Sequence, residues 1–237
     1  MWDNFMWTRV ELKNNAKIVF SQNYWKSVLV AILTTISTGG FGSGSGSSSS
    51  SGSSSFSGGA SDNHVGIAPP LVIFMILGIV LAILALTLGL AIFVFGPLEV
   101  SCRRFFIFAR TAPGNLSQLS FAFKKAYMNI VKIQFLRGLF TLGWTLLFII
   151  PGIIKGLEYR MIPYILAENP EISSVEAFNR SREMMTGHKW NAFVLDLSFL
   201  GWHILGLFTC FILTIFYVNP YQQLTNAELY EALKLNT

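Results

Sequence analysis

The sequence predicts an all-α, polytopic transmembrane helical bundle: about six spans in three hairpins, each preceded by a cytoplasmic amphipathic helix. Three observations predict it. Charged residues make up 12% of the 237-residue chain and hydrophobic ones 52%, with a mean hydropathy of +0.53, whereas a soluble domain carries about a quarter charged residues. The apolar residues are gathered into long runs, of which Leu71 to Phe95 is free of charge throughout. The cations lie almost entirely in alternate segments between those runs.

Leu71 to Phe95 is long enough to cross the ~30 Å hydrocarbon core with some tilt, and Pro69 and Pro70 stand where a first helical turn tolerates proline. Tyr24 to Phe41 is a weaker span in which Lys26 must snorkel. A cleaved signal peptide is the alternative there, but its charged leader would be longer than a usual one. Ile133 to Ile154 is apolar except for Arg137, and Pro151-Gly152 marks a turn. The chain then returns through Ala167 past Lys155, Glu158 and Arg160. Trp190 to Val218 is either one long helix or a hairpin turning near Leu205–Cys210; the hairpin brings the count to six. The expected segments are an interfacial helix over 5–25, a span over 24–41, a Gly/Ser-rich loop over 42–66 and a span over 71–96. An interfacial helix over 117–132 and spans over 133–150 and 152–167 follow. An amphipathic helix over 173–187, a span over 190–205 and a last span with C-terminal helix over 210–235 complete the single membrane domain.

Orientation follows from the cations. Arg9, Lys13, Lys17 and Lys26 precede the first span, and Gly39 to Gly66 holds none. Arg103, Arg104, Arg110, Lys124, Lys125, Lys132 and Arg137 lie between or at the edges of spans two and three. Arg180, Arg182 and Lys189 lie between spans four and five, and Lys234 is near the end. Lys155 and Arg160 alone fall elsewhere, so the positive-inside rule puts both termini in the cytoplasm. Cys102 and Cys210 then sit on opposite faces and match no metal or redox spacing. The Gly42 to Ser55 tract lacks the apolar content to order itself, and His64 beside Asp62 has no metal partners.

The three hairpins suggest a threefold internal repeat. Their outbound helices open on Tyr24-Trp-Lys, Tyr127-Met-Asn and Lys189-Trp-Asn, and their returning helices carry Pro97, Pro163 and Pro220. The amphipathic segments would place Arg9, Lys13, Lys17, Arg103, Arg104, Lys124, Lys125, Arg180, Arg182 and Lys189 against anionic headgroups. Ser173-Ser-Val-Glu176 reads as a capping box, with Glu176 and Arg180 one turn apart. The expected partner is the bilayer, or another membrane protein or a second copy, and not nucleic acid.

Ionisable side chains at membrane depth are functional candidates by default: here Glu99, Arg137, Glu158, Arg160, Asp196 and His203. Arg160 paired with Asp196 or Glu99 is the structural reading, and a proton or ion path through Glu158 and Asp196 the functional one. No nucleophile elbow, metalloprotease helix, phosphate loop or Cys/His cluster occurs, so no enzyme, cofactor or metal is expected. The expected role is a non-enzymatic accessory, scaffold or envelope-stress factor of a bacterial plasma membrane, with a small transporter or channel as the alternative.

Ile149-Ile-Pro-Gly-Ile-Ile, Tyr159-Arg-Met-Ile-Pro-Tyr-Ile-Leu-Ala-Glu-Asn-Pro and Arg180-Ser-Arg-Glu-Met-Met-Thr-Gly-His-Lys-Trp190 resemble an integral membrane family of unknown function from Gram-positive bacteria. Glu11-Leu-Lys, Gly96-Pro-Leu-Glu-Val-Ser-Cys-Arg-Arg-Phe105 and Val218-Asn-Pro-Tyr221 extend the resemblance along the chain. The same block is similar to the membrane region of some glycerophosphodiester phosphodiesterases, whose soluble catalytic domain has no counterpart here. The resemblance implies a six-helix bacterial membrane protein and brings no chemistry with it.

Overall fold

A computed structural model describes residues 7–38, 69–111, 114–124, 126–208 and 212–235. The Gly/Ser-rich loop over 42–66, with Asp62 and His64, lies outside the described residues, as do Lys125 and Cys210. Among the described residues every regular element is helical. The α-helices are α1 (Arg9–Gln22), α2 (Tyr24–Ser37), α3 (Pro69–Leu90), α4 (Gly96–Phe108), α5 (Phe121–Lys124) and α6 (Tyr127–Leu147), then α7 (Ile149–Glu158), α8 (Ile162–Glu168), α9 (Ser174–Met185), α10 (Lys189–Phe208) and α11 (Asn219–Lys234). Among the described residues two helical runs are long and apolar enough to cross a membrane, Phe74–Phe108 and Tyr127–Leu147.

The molecule divides into a packed base and bare apolar arms. The base core joins Leu12, Phe20, Phe105, Tyr164, Leu195 and Tyr230 with their neighbours. α1 contributes the apolar stripe Leu12, Ala16, Val19 and Phe20, all buried. α1 is held at its start by Thr8, whose hydroxyl accepts from the Glu11 amide at 3.3 Å. That stripe packs into the protein, chiefly on α11, so α1 does not present it to lipid as an interfacial helix would. α3 is the opposite case: Phe74 is 70% exposed and Leu86 66%, and nothing in its most apolar 18-residue stretch is buried.

Each of the three prolines expected on a returning helix sits in the first turn of a base helix: Pro97 in α4, Pro163 in α8 and Pro220 in α11. Proline has no amide hydrogen and its ring collides with the carbonyl four residues back, so an α-helix entering it must relax its ladder. Two returning arms do so with a π-helical turn just before the proline, at Ala91–Phe95 and Thr214–Val218. The third breaks outright at Tyr159–Met161, between α7 and α8. The segment expected as one helix over 152–167 is therefore two, and α7, with 10 residues, is about 15 Å long.

Other boundaries differ as well. The helical run through α3 and α4 passes residue 96 without a loop and ends at Phe108. The amphipathic segment over 117–132 is interrupted at Ala126, whose φ of 49° is left-handed, and Tyr127 already begins the long helix. Within that segment Ile130 is buried, Leu119 and Tyr127 are half-buried and Phe123 is exposed. The second hairpin turns at Phe148, where the backbone is extended. Pro151 and Gly152 fall inside the first turns of α7, where proline's missing donor costs nothing. α9 buries Ala177, Ser181, Met184 and Met185, while Val175 is 72% exposed.

Close backbone approach shapes the hairpins. A Cβ on Gly152 would lie 2.5 Å from Thr145 Oγ1 and 2.6 Å from Thr145 Cα. On Gly206 it would lie 1.9 Å from Thr214 Oγ1, a contact that demands chain reversal between α10 and the π-helical turn. α10 and the turn Thr214–Val218 thus pack against each other. Small residues opposite threonine let the two segments approach closely in both places.

Replacing Gly152 by alanine is expected to pry α6 from α7 and cost about 1–3 kcal/mol. Gly143→Ala, whose Cβ meets nothing within 4 Å, is expected to leave thermal unfolding in detergent unchanged or slightly raised; equal behaviour of the two variants would rule out the close contact.

Candidate functional site

The sequence-predicted polar residues gather into separate clusters where α4, α6, α8, α10 and α11 meet. α4 places Glu99 and Arg103 one turn apart on its buried face. Glu99 Oε1 accepts from Arg103 Nη2 at 3.3 Å, and its Oε2 accepts from Arg137 Nη1 and Gln134 Nε2, each at 3.2 Å. Arg103 Nη1 also donates to the Tyr164 hydroxyl at 3.1 Å and to Gln223 Oε1. One carboxylate and one guanidinium therefore connect α4, α6, α8 and α11.

A second cluster forms on Arg160, in the break between α7 and α8. Its Nη1 and Nη2 donate to Asp196 Oδ2 and Oδ1 at 2.7 and 2.8 Å, a two-pronged pair, and Nη2 also reaches Asn226 Oδ1 at 2.6 Å. Of the two partners considered for Arg160, Asp196 is the one it meets. Glu158, at the end of α7, receives Lys155 at 2.6 Å and also Lys189, with Arg182 at 3.9 Å. Lys155, within the second returning segment, and Lys189, between the expected fourth and fifth spans, share this one carboxylate and so stand at one level. The reason is the shortness of α7, which brings Glu158 back only part of the way along α6. His203 sits apart, 3.0 Å from Gln222 Oε1.

Several residues assigned to headgroups serve the interior instead. Arg103 is enclosed by the first cluster. Arg104 donates to Gln118 Oε1 at 2.8 Å and to the Ala167 carbonyl, with its guanidinium 3.7 Å from the Phe121 ring centroid. Lys189 is spent on Glu158. Lys13 Nζ donates to Ser198 Oγ at 2.8 Å; burial pushes its ammonium below the usual lysine range, and Arg9 adds repulsion. Arg9, Lys17, Lys124 and Arg182 remain exposed. Arg180 and Lys234, with Glu176 and Glu183, line a polar depression of about 490 Å³. Glu176 and Arg180 form no direct ion pair; the Glu176 amide donates to Ser173 Oγ at 3.2 Å, one half of the expected capping box.

Sequence reasoning missed the ties of α11. Arg110 grips Glu228 through two hydrogen bonds of 2.6 and 3.0 Å. Glu168 receives Tyr230 at 2.9 Å and Lys234 at 2.6 Å. Neither pair is close in sequence, and the only available signal was the charged, alternating pattern of a helix following an apolar run. The Thr8-Arg-Val-Glu11 cap, by contrast, was readable as another Ser/Thr-x-x-Glu pattern.

Among the described residues no three His, Cys, Asp or Glu side chains converge as metal ligands would. The arrangement is one of neutralised charge: each acidic candidate meets at least one cation. Two larger cavities flank the clusters. One of about 840 Å³ lies between α2, α3 and α6 and reaches Glu99 and Arg137; one of about 530 Å³ is lined by Trp144, Lys155, Tyr159 and Arg182. Asp196 lines neither of these, nor the polar depression.

Comparison with known proteins gives one family match. The model of the family described as "Protein of unknown function (DUF975)" matches residues 114–237, the part from α5 through α11 and slightly more than half of the chain. No curated protein and no solved structure matches.

Breaking the Arg160 pair leaves a charge without its partner, while removing both charges does not. Arg160→Met and Asp196→Leu are each expected to destabilise by about 1–3 kcal/mol, and the double variant by less than their sum, with a coupling of about 0.5–3 kcal/mol. Additive thermal shifts in a double-mutant cycle would contradict the pairing.

Proposed function

The chain belongs to the DUF975 family, and we propose that it is a multi-pass protein of a bacterial plasma membrane with both termini cytoplasmic, acting as a non-catalytic scaffold or accessory factor. The observation that carries this reading is the division between base and arms. From Phe74 to Leu90, α3 presents apolar side chains that touch no other part of the protein closely enough to be buried. The tip of the second hairpin does likewise, with Leu146 84% exposed and Ile150 73%. An apolar surface of this extent is insoluble in water and at home in hydrocarbon, where helices satisfy their own backbone groups.

The base suits the cytoplasmic boundary. It carries the exposed cations Arg9, Lys17 and Lys124, and anionic headgroups attract such residues at about 1 kcal/mol each. Pairing of Glu99, Glu158 and Asp196 with arginine and lysine favours a scaffold over an ion path, since a conducting carboxylate must exchange its partner during transport. α7 is too short to cross alone, so the second hairpin is best read as entering the membrane and turning within it.

The chain is expected to stay with membranes through alkaline carbonate washing, and Leu81→Arg in the middle of α3 to lower insertion, a charge there costing about 2.5–3.5 kcal/mol. In proteoliposomes it is expected to pass no protons above the empty-vesicle rate. Release by carbonate would end the membrane reading; a proton flux abolished by Asp196→Asn would replace the scaffold by a transporter.

A further inference from the structure

The cavity beside Arg137 has the form of a binding groove. Its walls are apolar, formed by Leu88, Ile92 and Phe95 on one side and Phe135, Leu139 and Leu142 on the other. The hydroxyls that line it are already engaged: Thr141 and Thr145 donate to carbonyls of their own helix at 2.8 Å each, and Ser37 to the Thr34 carbonyl at 2.9 Å. They offer methyl and methylene surface, so the groove asks for hydrocarbon. Its volume of about 840 Å³ falls within the ~300–1,000 Å³ typical of ligand sites.

Charge is confined to one end. Glu99 lies there with Arg137 and, behind it, Arg103, so two guanidinium groups face a single carboxylate. Glu99 is 8% exposed and both its oxygens are occupied. Arg137 is half-open: Nη1 bonds to Glu99 and to Gln134 Oε1 at 3.0 Å. Its Nη2 and Nε have no hydrogen-bond partner among the described residues. The end therefore carries one uncompensated positive charge, with two free donors in the fork that arginine presents to phosphate. It lies where α3 passes through the π-helical turn into α4, the level at which the apolar arms give way to the polar base.

We infer that the groove holds one anionic phospholipid of the leaflet next to the base, its phosphodiester against Arg137 and an acyl chain between α3 and α6. The inference rests on the membrane reading above. A free fatty acid would also bring a chain and a negative charge, but the groove opens at headgroup level into the region where phospholipid is the surrounding solvent.

Gly138 supplies a clean test, because it lines the groove and a Cβ there meets nothing within 4 Å. Gly138→Leu should fill the groove while leaving thermal stability unchanged. The full chain would be reconstituted with phosphatidylglycerol and phosphatidylcholine in equal amounts, extracted in mild detergent and weighed intact by native mass spectrometry. One phosphatidylglycerol per chain is expected, with retention falling about tenfold or more in Gly138→Leu and Arg137→Gln, the loss of a charge-assisted contact, and less in Arg137→Lys. Equal retention of the two lipids, retention indifferent to Gly138→Leu, preference for added palmitate, or a co-purified polypeptide blocked by Gly138→Leu would each overturn it. A chain released by carbonate fails the membrane reading, whereas an embedded chain that retains no lipid fails only this inference.

Discussion

The Glu99–Arg103 pair ties α4 to three other helices of the base. Its two groups touch α6 through Gln134 and Arg137, α8 through Tyr164, and α11 through Gln223. Buried charges of this kind are costly to desolvate and are tolerated only with nearly full sets of partners. The geometry is accordingly demanding, because a shift of any one helix would strand a charge. Tyr164 stacking on Tyr230, with ring centroids 5.2 Å apart, and the two-pronged Arg160–Asp196 pair extend the same constraint outward.

The proline positions make this convergence possible. Pro97, Pro163 and Pro220 each stand at the start of a base helix, where the helical ladder of an apolar arm gives way. Two solutions to one steric problem appear, a π-helical turn in the first and third arms and a full break in the second. The arms stand side by side: α2, α3 and α6 border one groove, and Asn219 at the foot of the third donates to Thr35 of α2 at 3.2 Å. A proline opens a base helix in all three cases, after a π-helical turn at Pro97 and Pro220 and after a break at Pro163.

Charge has two uses in this molecule. Arg103, Arg104, Arg160 and Lys189 hold helices together, whereas Arg9, Lys17 and Lys124 face outward. A count of cations cannot separate these uses, since both place lysine and arginine on the same side of the apolar runs. Partners decide it. Arg103 lies four residues from Glu99 and could have been read as paired, but Glu158 with Lys189 and Arg110 with Glu228 are joined by folding across 31 and 118 residues.

The sequence by itself determined the helical class, the apolar runs and the prolines that open the base helices. These are local properties: hydropathy summed over a run, and the missing donor of proline, need no distant contact to act. The turn of the second hairpin was misread for the same reason, because Pro-Gly is compatible both with a turn and with a first helical turn, and only the fit of Gly152 against Thr145 selects the latter. Which acid meets which base was a tertiary decision. Ion pairs act over a few ångströms, and those distances arise only after α7 proves too short to keep Lys155 and Lys189 apart and α11 packs back against α1 and α4.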